Sequence, residues 1–267
     1  MAPRVKSAQR VVEVFEFFAR RRGPATLTEL AGALGYPASS TFALLNTLRD
    51  LGYLDYARDS RTFVPTVRAA LLGIWVNDAL MVDGTIGQLM YDLRDATGGT
   101  AVLAIQSGLA VQYIHVVKGG DAHARTDVAT GTVRPLVRSA MGDVLLGRKS
   151  KAEVRALVAR SNAARGDAEP VRLADVTERI ERAKAQGYAW SEGAATPGSG
   201  IVAVLLAAPR HQPPLALGLG ARISRLRANR KRFLSALHAV VDAHRAHMEA
   251  LPSTFAAPER AVRARSG

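Results

Sequence analysis

Thr26-Leu27-Thr28-Glu29-Leu30-Ala31-Gly32-Ala33-Leu34-Gly35, then Tyr36-Pro37-Ala38, then Ser39-Ser40-Thr41-Phe42-Ala43-Leu44-Leu45-Asn46-Thr47-Leu48, decides the reading of this chain. Leu30, Ala31 and Leu34 recur at helical spacing, Thr26 and Glu29 are placed as a capping box, and Gly35 closes the helix. Thr28 offers a second capping hydroxyl. Tyr36-Pro37 turns the chain, and a further helix is predicted over 38–51. Phe42, Leu45 and Leu48 are assigned to its inner side; Ser39, Ser40, Ala43, Asn46 and Thr47 lie on or near the other. A helix held by leucines can present short polar side chains to a DNA major groove.

Working outward, Val11, Val14, Phe15 and Phe18 give a preceding helix over 7–20, ended by Gly23-Pro24. After Gly52, two short alternating segments, 53–56 and 62–64, flank the polar tip Ala57-Arg58-Asp59-Ser60-Arg61 and read as a hairpin wing. Residues 1–65 thus form a winged helix-turn-helix. Its candidate contacts with double-stranded DNA are Arg10, Thr28, Ser39, Ser40, Thr41 and Asn46, with Arg58 and Arg61 on phosphates, where contacts position without specifying sequence.

Residues 66–80 read as a linker helix with Ile74 and Trp75 on its apolar side. The remainder, 81–252, reads as α+β. Helices are expected over 83–97, 139–149, 150–160, 175–186 and 224–250, and strands over 100–106, 110–117, 188–192, 200–208 and 215–221. Helices on one antiparallel sheet follow. Residues 253–267 read as a flexible basic tail.

The 267 residues carry a formal charge of +13, which favours a polyanionic partner. The excess divides as +3 over 1–66, +3 over 67–221 and +7 over 222–267, so more than half of it lies outside the DNA-reading segment. There is no cysteine, which excludes disulfides and thiolate metal sites and suits a cytoplasmic protein. The apolar run 11–18 is interrupted by Glu13 and Glu16, so no signal peptide is expected, and no run reaches the ~20 residues of a membrane span. His244 and His247 are spaced to share a metal, but no third ligand is suitably placed, and neither metal nor cofactor is expected. Gly198-Ser199-Gly200 lacks the spacing of a nucleophile elbow, and Leu217-Gly218-Leu219-Gly220 lacks the third glycine of a dinucleotide loop. No catalytic constellation stands out.

Several stretches in order and spacing are similar to the IclR family of bacterial transcriptional regulators. They are Ala8 to Phe15, Leu27 to Ala31, Thr47 to Leu54, Arg134-Pro135-Leu136 leading to Ser139-Ala140-Met141-Gly142, Gln186-Gly187-Tyr188 and Arg222-Ile223-Ser224-Arg225. The resemblance runs from about Ser7 to Leu251. It implies a GAF-like effector-binding domain after the linker, homodimers or homotetramers on palindromic operators, and a small organic acid as effector. By the same resemblance Ala140, through its backbone N–H, and Met141 line the effector pocket, with Ser191 and Ile201 at its edge. Tyr113 and His115, placed on one face by strand alternation, are added as pocket candidates.

The chain also departs from the family pattern. Ala43 stands where the family usually has an arginine before the paired leucines. Arg138 replaces a usual alanine and is a candidate anion clamp. Gly218 and Gly220 replace serines that help hold a small carboxylate. Removing those side chains predicts a roomier, more apolar cavity and an effector larger than glyoxylate or pyruvate, such as an aromatic acid. The reading is therefore a ligand-responsive regulator controlling catabolism of such an acid. Two alternatives stay open: an enzyme with a DNA-docking head, and a nonspecific architectural binder acting through the basic C-terminal region.

Overall fold

A computed structural model describes residues 5–72, 85–120, 128–166, 168–194, 196–206 and 213–250. The chain divides into two compact units, Met1–Asp83 and Gly84–Gly267. The predicted linker beyond residue 72, with Ile74 and Trp75, and the tail 253–267 lie outside the described residues, as does the side chain of His247.

The first unit, the head, contains α1 (Lys6–Arg21), β1 (Ala25–Thr26), α2 (Leu27–Leu34), α3 (Ala38–Asp50), β2 (Leu54–Ala57), β3 (Thr62–Pro65) and the short α4 (Val67–Leu71). The capping box is formed: Thr26 Oγ1 accepts from the Glu29 amide at 3.3 Å, and Glu29 accepts from the Thr26 amide at 2.8 Å. Arg21 at the end of α1 reaches the same carboxylate at 2.6 Å, so one glutamate joins the exit of α1 to the entry of α2. β1, β3 and β2 make a three-stranded antiparallel sheet. Val14, Phe18, Ala25, Leu30, Leu45, Leu48, Leu54 and Phe63 close over one another as the core.

The second unit is a six-stranded antiparallel sheet in the order β6-β5-β4-β9-β8-β7. The strands are β4 (Thr100–Ser107), β5 (Ala110–Val117), β6 (Val133–Pro135), β7 (Ala189–Glu192), β8 (Ser199–Leu206) and β9 (Leu215–Arg222). A 3-10 turn at Leu136–Arg138 and α6 (Ala140–Leu146) pack on one face; α7 (Lys151–Ala163) and α8 (Leu173–Gln186) join the same core. α5 (Thr85–Thr97) packs against α10 (Arg230–Ala250), and α9 (Ile223–Ala228) precedes α10. The last helix, predicted as continuous, is thus broken at Asn229 (φ −112°), whose side chain bonds the Arg225 carbonyl at 3.0 Å.

α6 packs closely on the 3-10 turn before it at Gly142. A Cβ there would fall 1.8 Å from the Leu136 carbonyl oxygen, a backbone atom that cannot swing aside. Ser139 caps α6 by accepting from the Gly142 amide at 3.0 Å. Asp143, 4% exposed, is held by Arg179 of α8 at 3.1 Å, and the same guanidinium donates to the Val137 carbonyl at 2.6 Å. One arginine therefore ties α8 to both α6 and the turn before it.

Candidate functional site

α3 is turned relative to its predicted phase. Thr41, assigned to the DNA-reading set, is 1% exposed, and Phe42, assigned to the core, is 53% exposed. The inner stripe is Thr41, Leu45 and Leu48. Thr41 can be buried because its hydroxyl donates to the Pro37 carbonyl one turn back at 3.0 Å, which removes the cost of an unpaired polar group. It is withdrawn from the candidate contacts.

The other hydroxyls and amides of α3 make the same kind of bond. Ser40 Oγ donates to the Pro37 carbonyl at 3.0 Å, Asn46 Nδ2 to the Phe42 carbonyl at 3.0 Å, and Thr47 Oγ1 to the Ala43 carbonyl at 2.9 Å. Ser39 and Thr28 are exposed. Arg10 stacks on the Tyr36 ring, 4.5 Å from its centroid, while Tyr36 bonds Glu13, so this cation is partly engaged within the head. Arg58 and Arg61 are exposed at the wing tip, where Ala57 pairs with Thr62 and leaves a four-residue loop. Arg61 takes the left-handed conformation (φ 53°) that closes that loop.

In the second unit a cavity of about 90 Å³ opens between α6 and the sheet. Its floor is one cross-strand row: Ser191 pairs with Ile201, Ile201 with Gly220 and Gly220 with Thr100. Val102, Tyr113 and Val128 add apolar wall, and Ser139, Ala140 and Met141 add the start of α6. The row explains why residues far apart in sequence converge: antiparallel pairing puts directly opposed residues on the same face.

Two pocket candidates are corrected. His115 does not reach the cavity. Tyr113 pairs with Ala104 and His115 with Leu103, so Ile114 is an extra residue in β5, a bulge that reverses the alternation between them. Tyr113 stays on the face of α6, and His115 goes to the other. Gly218 does not open space either. A Cβ there would lie 2.7 Å from Ile201 Cδ1 and 3.1 Å from Met141 Sδ, so the volume its missing side chain vacates is filled by these two. Gly220 behaves as predicted from its lack of a side chain: its nearest such neighbours are carbonyl oxygens at 3.7 and 3.8 Å, and it lines the cavity.

The charged groups are arginines. Arg138 lines the cavity, but its guanidinium donates to the Glu169 carbonyl and so fastens the connector before α8. Arg134, which enters the sequence pattern only as part of a motif, is a second lining cation. It pairs with Val111 across β5–β6 and so points to the face of Tyr113. Burial raises the Tyr113 hydroxyl above the usual phenol value, and Arg134 beside it partly offsets that rise. A periodicity argument passes over an arginine on a three-residue edge strand; the partner Val111, buried on the same row, is the signal that places it.

A small-residue helix on a winged head, followed in the chain by a separate sheet unit with its own cavity, defines the class of DNA-binding regulators. The comparisons give the family. The model of the IclR helix-turn-helix domain matches residues 7–58, and that of the bacterial transcriptional regulator IclR C-terminal domain matches 79–245. The chain belongs to the IclR family and is a transcriptional regulator, not an enzyme. It is 22% identical over 228 residues to the transcriptional repressor IclR of Escherichia coli, covering 85% of this chain and 83% of that one. It is 24% identical over 236 residues to the acetate operon repressor of Salmonella typhimurium, covering 87% and 86%. The crystal structure of an IclR family transcriptional regulator from Brucella abortus superposes with a TM-score of 0.75 at 22% identity, covering 93% of each chain. An IclR regulator from Alicyclobacillus acidocaldarius gives 0.70 at 21%, covering 91% of this chain and 100% of that one. These structures share the fold. Among the described residues no helix is long and apolar enough to cross a membrane, and no group of three or more His, Asp or Glu side chains is placed to hold a metal.

Proposed function

We propose that the chain binds double-stranded operator DNA as a homodimer or homotetramer and changes its DNA affinity when a small carboxylic acid with an apolar, ring-like body fills the cavity beneath α6. The observation that carries this reading is the cavity itself, in which Arg134 and the hydroxyls of Thr100, Ser139, Ser191 and Ser199 stand among Val102, Tyr113, Met141 and Ile201. A cation with several hydroxyls suits a carboxylate; the surrounding hydrocarbon suits a ring and costs a charged or hydroxylated body its hydration. The family membership and the repressors among the relatives support regulation by DNA binding. The genes it would control are those that consume the acid.

A ligand shifts DNA binding only through different affinities for the DNA-competent and DNA-released states. The test is a gel shift on a duplex selected by this protein from a random pool, titrated with benzoate, phenylacetate, pyruvate and glyoxylate. The reading predicts that a ring acid alters the shift at micromolar to millimolar concentration and that the two- and three-carbon acids act only at higher concentration. Action by glyoxylate or pyruvate alone would exclude the apolar-ligand assignment.

A further inference from the structure

We propose that Phe42 reads the C5-methyl group of a thymine in the major groove. This deepens the DNA-binding reading above and rests on it. Phe42 is 53% exposed and is the one aromatic ring of the described head left so open, on the helix whose opposite side carries Thr41, Leu45 and Leu48. Ser39, Phe42, Ala43 and Asn46 follow at i, i+3, i+4 and i+7 and share the outward side. The hydroxyls and amide of Ser40, Asn46 and Thr47 already donate to backbone carbonyls of their own helix segment, which limits the donors left for base edges.

No lysine or arginine occurs between Ala38 and Leu48, and the one arginine of α3, Arg49 in its last turn, is paired with Asp50 at 2.8 Å, so the outward side from Ser39 to Asn46 carries no guanidinium to read the O6 and N7 of guanine. What the helix presents outward is a phenyl ring and the methyl of Ala43. Thymine is the base that shows an apolar group in the major groove, and an aromatic or alanine contact with it is an established chemical match. The cations Arg58 and Arg61 sit on the wing, where they serve phosphates and leave the helix to shape and methyl contacts.

The experiment uses the full chain and a duplex it selects from a random pool, with each thymine replaced in turn by deoxyuridine, which removes only the methyl. Wild type should lose affinity about fourfold at one thymine per half-site, the worth of one buried methyl group. Phe42→Ala should bind the parent duplex about as weakly as wild type binds that uridine duplex, and should be indifferent to the swap; Phe42→Leu should keep part of the discrimination. Equal binding of wild type to every uridine duplex would overturn the proposal, as would the same fourfold loss in Phe42→Ala. With a duplex selected and bound, either result removes the methyl contact and leaves the DNA-binding reading intact; failure to enrich any sequence removes both.

Discussion

The wing of the head and the cavity of the second unit place their arginines differently. In the head Arg58 and Arg61 stand exposed on the wing loop, and the outward side of α3 from Ser39 to Thr47 is uncharged, with Ser40, Asn46 and Thr47 turned back onto their own backbone. In the second unit Arg134 lines a cavity, Arg138, itself exposed, holds a connector, and Arg179 is paired with the buried Asp143. A peripheral cation meets a ligand in water and contributes affinity that salt screens. A half-buried one acts at lower dielectric and contributes selectivity at the cost of its own desolvation. The comparison predicts salt-sensitive DNA binding and much less salt-sensitive ligand binding from the same chain.

The largest expected effect separates the units by stability. Leu45, fully buried in the head core, should cost about 2–5 kcal/mol on replacement by alanine. Thermal or urea unfolding should then show the head transition moved down and that of the second unit unchanged; a common shift of both would show the units to be one cooperative body.

Asp143 gives the next effect, and its sign follows from burial. Burial raises its pKa from 3.8 to about 6, and the attraction of Arg179 only partly opposes that. The folded state therefore holds this proton more tightly than the unfolded chain does. The resulting stability is present in full below about pH 4 and is lost as the pH rises through about 6, an amount of at most about 3 kcal/mol. Asp143→Asn should abolish that decline, so the urea midpoints of wild type and variant should diverge in the variant's favour between pH 4.5 and 7. A wild type that gains stability over that interval relative to the variant would show that the ion pair outweighs burial.

The backbone gives a further effect on the second unit. Gly142→Ala drives a methyl into the Leu136 carbonyl and should cost about 1–3 kcal/mol, read as a lower urea midpoint for the second unit with the head midpoint unchanged.

The smallest effect concerns the wing. Replacing Arg58 or Arg61 by alanine should weaken all duplexes alike. Each arginine that pairs with a phosphate should, when removed, reduce the slope of log affinity against log salt by about one. A change in sequence preference instead would place the wing on base edges.

The winged head, the helices and the antiparallel strands follow from capping residues, glycine stops and apolar periodicity, which act locally. What escaped those signals depends on tertiary partners. Hydrophobicity put Phe42 inside α3, whereas Thr41 goes inside because the Pro37 carbonyl satisfies its hydroxyl. Alternation put His115 beside Tyr113, and the extra residue Ile114 moves it to the other face. Gly218 looked like a gap, but Ile201, two strand residues before its partner Ala203, and Met141 from α6 fill it. Arg134 was passed over because an arginine on a short edge strand has no periodic signature; only its pairing with Val111 shows which way it faces. The cavity floor was legible residue by residue, in Ser191, Ile201 and Gly220, but not as a row, because the row is made by strand pairing.

Calorimetry of benzoate with wild type and with Arg134→Met, at low and at moderate salt, tests the half-buried cavity cation directly. The account predicts binding by wild type that varies little with salt, and a loss of tenfold or more in the variant at both salts with its fold retained by circular dichroism. Equal affinity in the two proteins, or wild-type affinity that falls with salt as steeply as DNA binding does, would contradict it.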